Sequence, residues 1–194
     1  MRKILSFFLS IQLLCASQIF AQMTDNSKFY PNPGIVAQRG GSWVGSDHLY
    51  NLTSNIDILV EIFKPKNIDI PISEEIIRSK VADIFTKGGI TPTAEEVPGE
   101  PPLPFFHLLI MIYPIEKGYV AYCEGRLFEK VSLERIKLDD QTVLQGVTWE
   151  SQNLIVSPSD QIAEQIIKSV NEIAETFVER YRFYDEIRRK IQKN

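Results

Sequence analysis

Acid–base or metal chemistry built on histidine must use His48 or His107, because the 194-residue chain contains no other histidine. His48 follows Asp47 in a glycine-rich stretch, and His107 lies inside the apolar run that begins at Phe105. Their separation matches no metal-ligand spacing, so His48 is expected to be exposed and His107 hydrogen-bonded in or near a sheet. Nucleophilic serine chemistry needs a recognisable turn, and the chain has neither a G-x-S-x-G elbow nor an S-x-x-K at a helix start. The remaining candidates for paired-carboxylate chemistry are Asp57, Glu61, Glu124 and Glu150. They fall on or beside expected strands, where carboxylates usually face water. The expectation is a protein with no catalytic residue, no metal and no cofactor.

Of the two cysteines, Cys15 falls in an N-terminal leader and Cys123 in an alternating strand. No disulfide can then form within the mature chain, and a lone thiol in an oxidising compartment survives best in the core. Of the tryptophans, Trp43 sits in the glycine-rich stretch, and Trp149, expected to close a strand, is assigned to the edge of the core.

The leader itself has three parts: Arg2 and Lys3, an apolar run from Ile4 to Leu14, and small residues ending at Ala21. That order is the pattern of a secretory signal peptide over residues 1–21. The apolar run is too short for a spanning helix, which needs about 20 such residues. Leu14 before Cys15 spoils a lipobox. An exported protein, periplasmic or extracellular, is expected. Removing Arg2 and Lys3 from the 21 basic residues leaves 19 against 25 acidic ones, a balance that speaks against nucleic acid as a partner.

The elements that would position these residues follow from periodicity. Residues 22–50 are rich in Gly, Ser, Asn, Asp and Pro, and are expected to form an irregular arm. Ile56, Ile58, Val60 and Ile62 alternate as in a half-buried strand. Ser73 caps a helix whose stripe is Ile76, Ile77, Val81, Ile84 and Phe85, stopped at Gly88-Gly89. The prolines of residues 91–104 predict an extended linker that cannot lie within a sheet. Phe105 to Ile115 predicts a strand covered on both faces, Tyr119 to Val131 its hairpin partner, and Thr142 to Trp149 a third strand. From Ser157 or Ser159 onward, Ile162, Ile166, Ile167, Val170, Ile173, Phe177 and Tyr181 mark a long amphipathic helix.

The fold class is therefore α+β, a two-layer sandwich. It has a mostly antiparallel sheet of about four strands, two helices on one face and a long C-terminal helix. The expected division is signal 1–21, arm 22–50, domain 51–179 and a projecting tail 180–194. In its βαβββα order, with the pair Thr148-Trp149 between the last strand and last helix, the chain resembles uncharacterised exported bacterial domains over residues 54 to 184. The resemblance implies the fold and no activity.

Two surfaces stand out as places to meet a partner. A three-residue hairpin loop at Glu116–Gly118 would pair Ile115 with Tyr119. This register puts Leu109, Met111 and Tyr113 under the helices with Ala121, Cys123, Gly125 and Leu127. Phe106, Leu108, Ile110 and Ile112 would then share the opposite face with Tyr122, Glu124, Arg126 and Phe128. That face, with the arm as a partial lid, is expected to bind a partner through Ile110, Ile112, Tyr122 and Arg126. The second surface is the tail, where Ile187 and Ile191 continue the stripe beside Arg188 and five further basic residues, Arg180, Arg182, Arg189, Lys190 and Lys193. It is suited to a partner helix or to peripheral contact with an anionic membrane. The function expected is a non-catalytic envelope module that binds another protein or itself. Rival readings are a small-molecule binding module and a hydrolase with an unrecognised carboxylate site.

Overall fold

A computed structural model describes residues 36–39, 42–45, 49–92, 104–136 and 142–192. The chain divides into Met1–Pro31 and Asn32–Asn194, and the first unit lies outside the described residues. So do the leader, His48 and the linker residues 93–103.

The first regular elements lie within the expected arm. Val36–Arg39 (β1) pairs antiparallel with Ser42–Gly45 (β2), Arg39 opposite Ser42 across the Gly40-Gly41 pair. Part of the expected irregular arm is therefore paired strand, which composition alone does not distinguish from a loop.

The main sheet has five strands in the order β4-β3-β5-β6-β7. Asn55–Phe63 (β3) is followed by Glu74–Gly88 (α1), then the two-residue strand Thr91–Pro92 (β4). Phe105–Ile115 (β5), Gly118–Val131 (β6) and Leu144–Ser157 (β7) form an antiparallel meander, and Ile162–Gln192 (α2) closes the chain. β3 runs parallel to β5, so the sheet is mixed. Part of the proline-rich segment does join it, because Pro92 pairs with Ile56 at the sheet edge, where a missing N–H costs no ladder bond. β7 is longer than its expected end at Trp149, and Thr148-Trp149 sits inside the strand rather than after it. Polar residues on both faces of Glu150–Asn153 hide the continuing alternation.

α1 begins where its cap predicts: Ser73 Oγ accepts from the N–H of Ile76 at 3.3 Å. It ends at Gly89, whose N–H reaches the carbonyl of Thr86. Ile77, Val81 and Phe85 are buried, while Ile76, one position off the centre of the stripe, is exposed. α2 is one 31-residue helix, about 46 Å long at ~1.5 Å per residue. Between the helices and the sheet, Phe85, Phe106, Trp149 and Phe177 pack with ring centroids 5.0 to 5.8 Å apart.

The hairpin register differs from the expected one by a single residue. Glu116 and Lys117 alone make the turn, and Ile115 pairs with Gly118. Gly118 does have a positive φ, 141°, but as the first residue of β6, where a Cβ would strike the carbonyl oxygen of Ser157. A one-residue slip moves every side chain of one strand to the other face. Phe106, Leu108, Ile110 and Ile112 accordingly lie under the helices with Leu127, Gly125, Cys123 and Ala121, all fully or nearly fully buried. Ile110 and Ile112 are core residues, not surface ones. β5 is covered by helices on one face only, and its other face alternates to half-exposed positions. Cys123 takes its expected place, fully buried, with burial pushing its thiol up to about 11.

Candidate functional site

The face of the main sheet turned away from α1 and α2 carries side chains in cross-strand rows fixed by the register. Tyr113, Val120 and Val156 form a row at the hairpin end, followed by Phe63, Met111, Tyr122 and Leu154. Two polar rows cross the middle: Glu61, Leu109, Glu124 and Gln152, then Leu59, His107, Arg126 and Glu150. Beyond them Asp57, Phe105, Phe128 and Val147 align, with the rings of Phe105 and Phe128 stacked at 4.9 Å. The face is thus an apolar end, a charged belt and an aromatic row.

The apolar end is bare. Leu154 and Val156 are 71% and 69% exposed, the highest values among the large apolar side chains described, and Phe63 and Tyr113 are both 56% exposed. The hydrophobic effect acts against leaving such a row in water.

The belt is the reverse, since charges are buried on the face away from α1 and α2. Glu124 is 1% exposed, and its Oε1 accepts from Arg126 Nη2 at 2.6 Å. Arg126 Nε lies 3.9 Å from Glu150 Oε2, too far for a hydrogen bond. Glu124 Oε2 and Arg126 Nε have no hydrogen-bond partner. Burial, and then the negative charge of Glu124, push the Glu150 carboxyl above its ordinary range, with Arg126 opposing. Tyr122 donates to Gln152 Oε1 at 2.5 Å, and burial followed by the Glu124 and Glu150 carboxylates raises its phenol. His107 Nε2 meets Glu61 Oε2 at 2.8 Å, which gives this histidine the hydrogen-bonded place in the sheet expected of it.

With Glu124 only 1% exposed, Arg126 and Glu150 are the members of this trio whose side chains reach the surface. Two described cavities lie elsewhere, around the C-terminus of α1 and the last turns of α2, where Gly88 and Arg182 line both. Among the described residues no three His, Cys, Asp or Glu side chains group closely enough to hold a metal ion.

Tyr122 and Arg126 lie on this open face as expected, but Ile110 and Ile112 do not join them. Ile187, Arg188 and Ile191 sit on the last turns of α2, the helix that packs against the other side of the sheet. Ile191 is exposed, Ile187 half-buried, and Arg188 pairs with Asp185. The packed part of α2 runs past the expected boundary at Arg180. Tyr181 is buried, and Arg182 donates from Nη2 to the carbonyl of Lys87 at 2.6 Å and from Nε to that of Gly88 at 3.1 Å. Tyr113, Leu154 and Val156 were not legible as surface residues, because only the observed register shows which neighbours they lack, whereas the alternation of β3 already sets Phe63 opposite its buried isoleucines.

Comparison with protein-family models and with curated proteins finds no match to the chain. Among the described residues, no helix is long and apolar enough to cross a membrane.

Proposed function

We propose that the chain is an exported, non-catalytic interaction module that binds a protein partner in the cell envelope through the open face of its main sheet. One observation carries this reading: the exposed row Phe63, Met111, Tyr122 and Leu154, flanked by Tyr113, Val120 and Val156, is apolar and, among the described residues, has no helix over it. A protein surface is the natural cover for an apolar patch bordered by charge. The Glu124–Arg126–Glu150 belt then acts as a polar border that selects against wrongly charged partners.

The test compares the wild-type protein with Phe63→Lys and Tyr113→Lys as bait on envelope extracts. Both side chains are mostly exposed, so the variants should fold and melt like the wild type. Loss of a captured protein in both variants supports the reading. Undiminished capture by both places the docking surface off this face and sinks it.

A further inference from the structure

The two edges of the main sheet are built differently. On the β3 side, β4 covers Asn55 and Ile56, the Arg78 side chain pairs with Asp57 at 3.1 Å, and the N–H of Ile62 donates to Glu74 Oε1 at 3.4 Å. A proline stands in β4 itself. These are the devices by which an edge is kept from pairing with another strand. At the other edge, β7 is a 14-residue strand with no proline and no lysine, and Glu150 is its one charge. Among the described residues no strand pairs with its outer edge. A strand paired on one side presents its remaining N–H and C=O groups in a row, a template for one more strand.

We propose that β7 pairs antiparallel with β7 of a second copy, so that two five-stranded sheets become one continuous sheet across a two-fold axis. Self-pairing favours the stretch Ser151–Ser157, Ser-Gln-Asn-Leu-Ile-Val-Ser, which carries no charge and so sets no like charges opposite each other. Centred on Leu154, the register places that side chain beside its own copy and Val156 beside Gln152 of the second copy. Glu150 falls opposite Pro158, outside the paired stretch. The row Phe63, Met111, Tyr122, Leu154 then continues directly into the same row of the second molecule in reverse order. The two most exposed of the large apolar side chains described gain cross-strand neighbours in one step. A closed two-fold leaves no β7 edge free for further growth. The inference deepens the reading of an interaction module by naming one partner, but it uses the edge of the sheet rather than its face.

Sedimentation of the mature protein from about 1 to 200 µM tests it, because a contact of strand-pair size is expected to be on the order of micromolar. The wild type should pass from monomer to dimer, with protection of the Ser151–Ser157 amides against hydrogen exchange rising in parallel. Leu154→Lys and Val156→Lys, both at exposed positions, should keep the wild-type melt and weaken the dimer by about tenfold or more. Phe63→Lys, on the distant strand β3, should dimerise as the wild type does, whether or not it still captures an envelope protein. A wild type that stays monomeric throughout overturns the proposal. So does a dimer that Phe63→Lys abolishes, or one that forms with unchanged exchange at Ser151–Ser157, since either would place the contact on the face.

Discussion

Glu124 and Arg126, two residues apart on β6 and therefore on the same side of the sheet, are joined by an ion pair of 2.6 Å with the carboxylate 1% exposed. Removing the arginine strands a buried charge. Arg126→Met is expected to lower stability by about 2–4 kcal/mol, less than a wholly buried pair would lose because the guanidinium is one-third exposed. The double variant Glu124→Gln with Arg126→Met should recover most of that loss, which denaturant melts of the three variants measure. Equal instability in the single and double variants would show that packing, not charge, sets the cost.

The raised Glu150 carboxyl makes stability depend on pH in an unusual direction for a glutamate. Its folded pKa lies above the unfolded one, chiefly through burial and then through Glu124. It therefore adds stability in full below the unfolded pKa, and this is lost as pH rises through the folded value. In the window between the ordinary glutamate range and that raised value, the melting temperature of the wild type should fall relative to Glu150→Gln. A difference that stays flat or rises across the window contradicts the assignment.

Reversing the usual surface test discriminates the two hairpin registers. Ile110→Asp puts a charge among fully buried side chains and should cost several kcal/mol, enough to unfold the domain. Met111→Asp, one residue on, lies on the open face and should leave a folded protein. Circular dichroism melts of both report which side of the sheet each residue occupies.

Much of this architecture follows from local chemistry. Ser73 and Gly89 cap α1 because their side chain and backbone freedom leave few other uses for them, and the period of α2 is unbroken from Ile162 to Tyr181. The face of β5 was not legible, since its unbroken run Leu108–Tyr113 is apolar on both sides and gives no phase. Only the length of the turn sets it, and Gly118 suits a third turn residue as well as a strand residue pressed against Ser157. The buried belt was illegible for a related reason. Glu124 and Arg126 alternate like any solvated pair, and nothing local marks Glu124 as the one that is 1% exposed.

Arg182 ties the far end of α2 to the last carbonyls of α1. Arg182→Ala should lower stability by roughly 1 kcal/mol, the scale of partly exposed charged hydrogen bonds. A chain ending at Tyr184 should melt like the whole protein, whereas one ending at Tyr181 should melt lower by about the same amount as Arg182→Ala. Calorimetry of the three proteins separates this tie from any contribution of Ile187 and Ile191.

The parallel pairing of β3 with β5 bears on the order in which the chain reaches its final state. Ile115 meets Gly118 across a two-residue turn, whereas Asp57 must wait for Phe105, with α1 and the proline-rich segment in between. Loop closure of that length is slow and gains nothing until the far strand exists. The meander β5-β6-β7 is the natural nucleus, and β3, although it leaves the ribosome first, cannot pair with β5 until that strand has emerged. Ile56, Ile58, Val60 and Ile62 are exposed to water for that interval, so this protein's vulnerable moment comes before β5 gives those residues a neighbour.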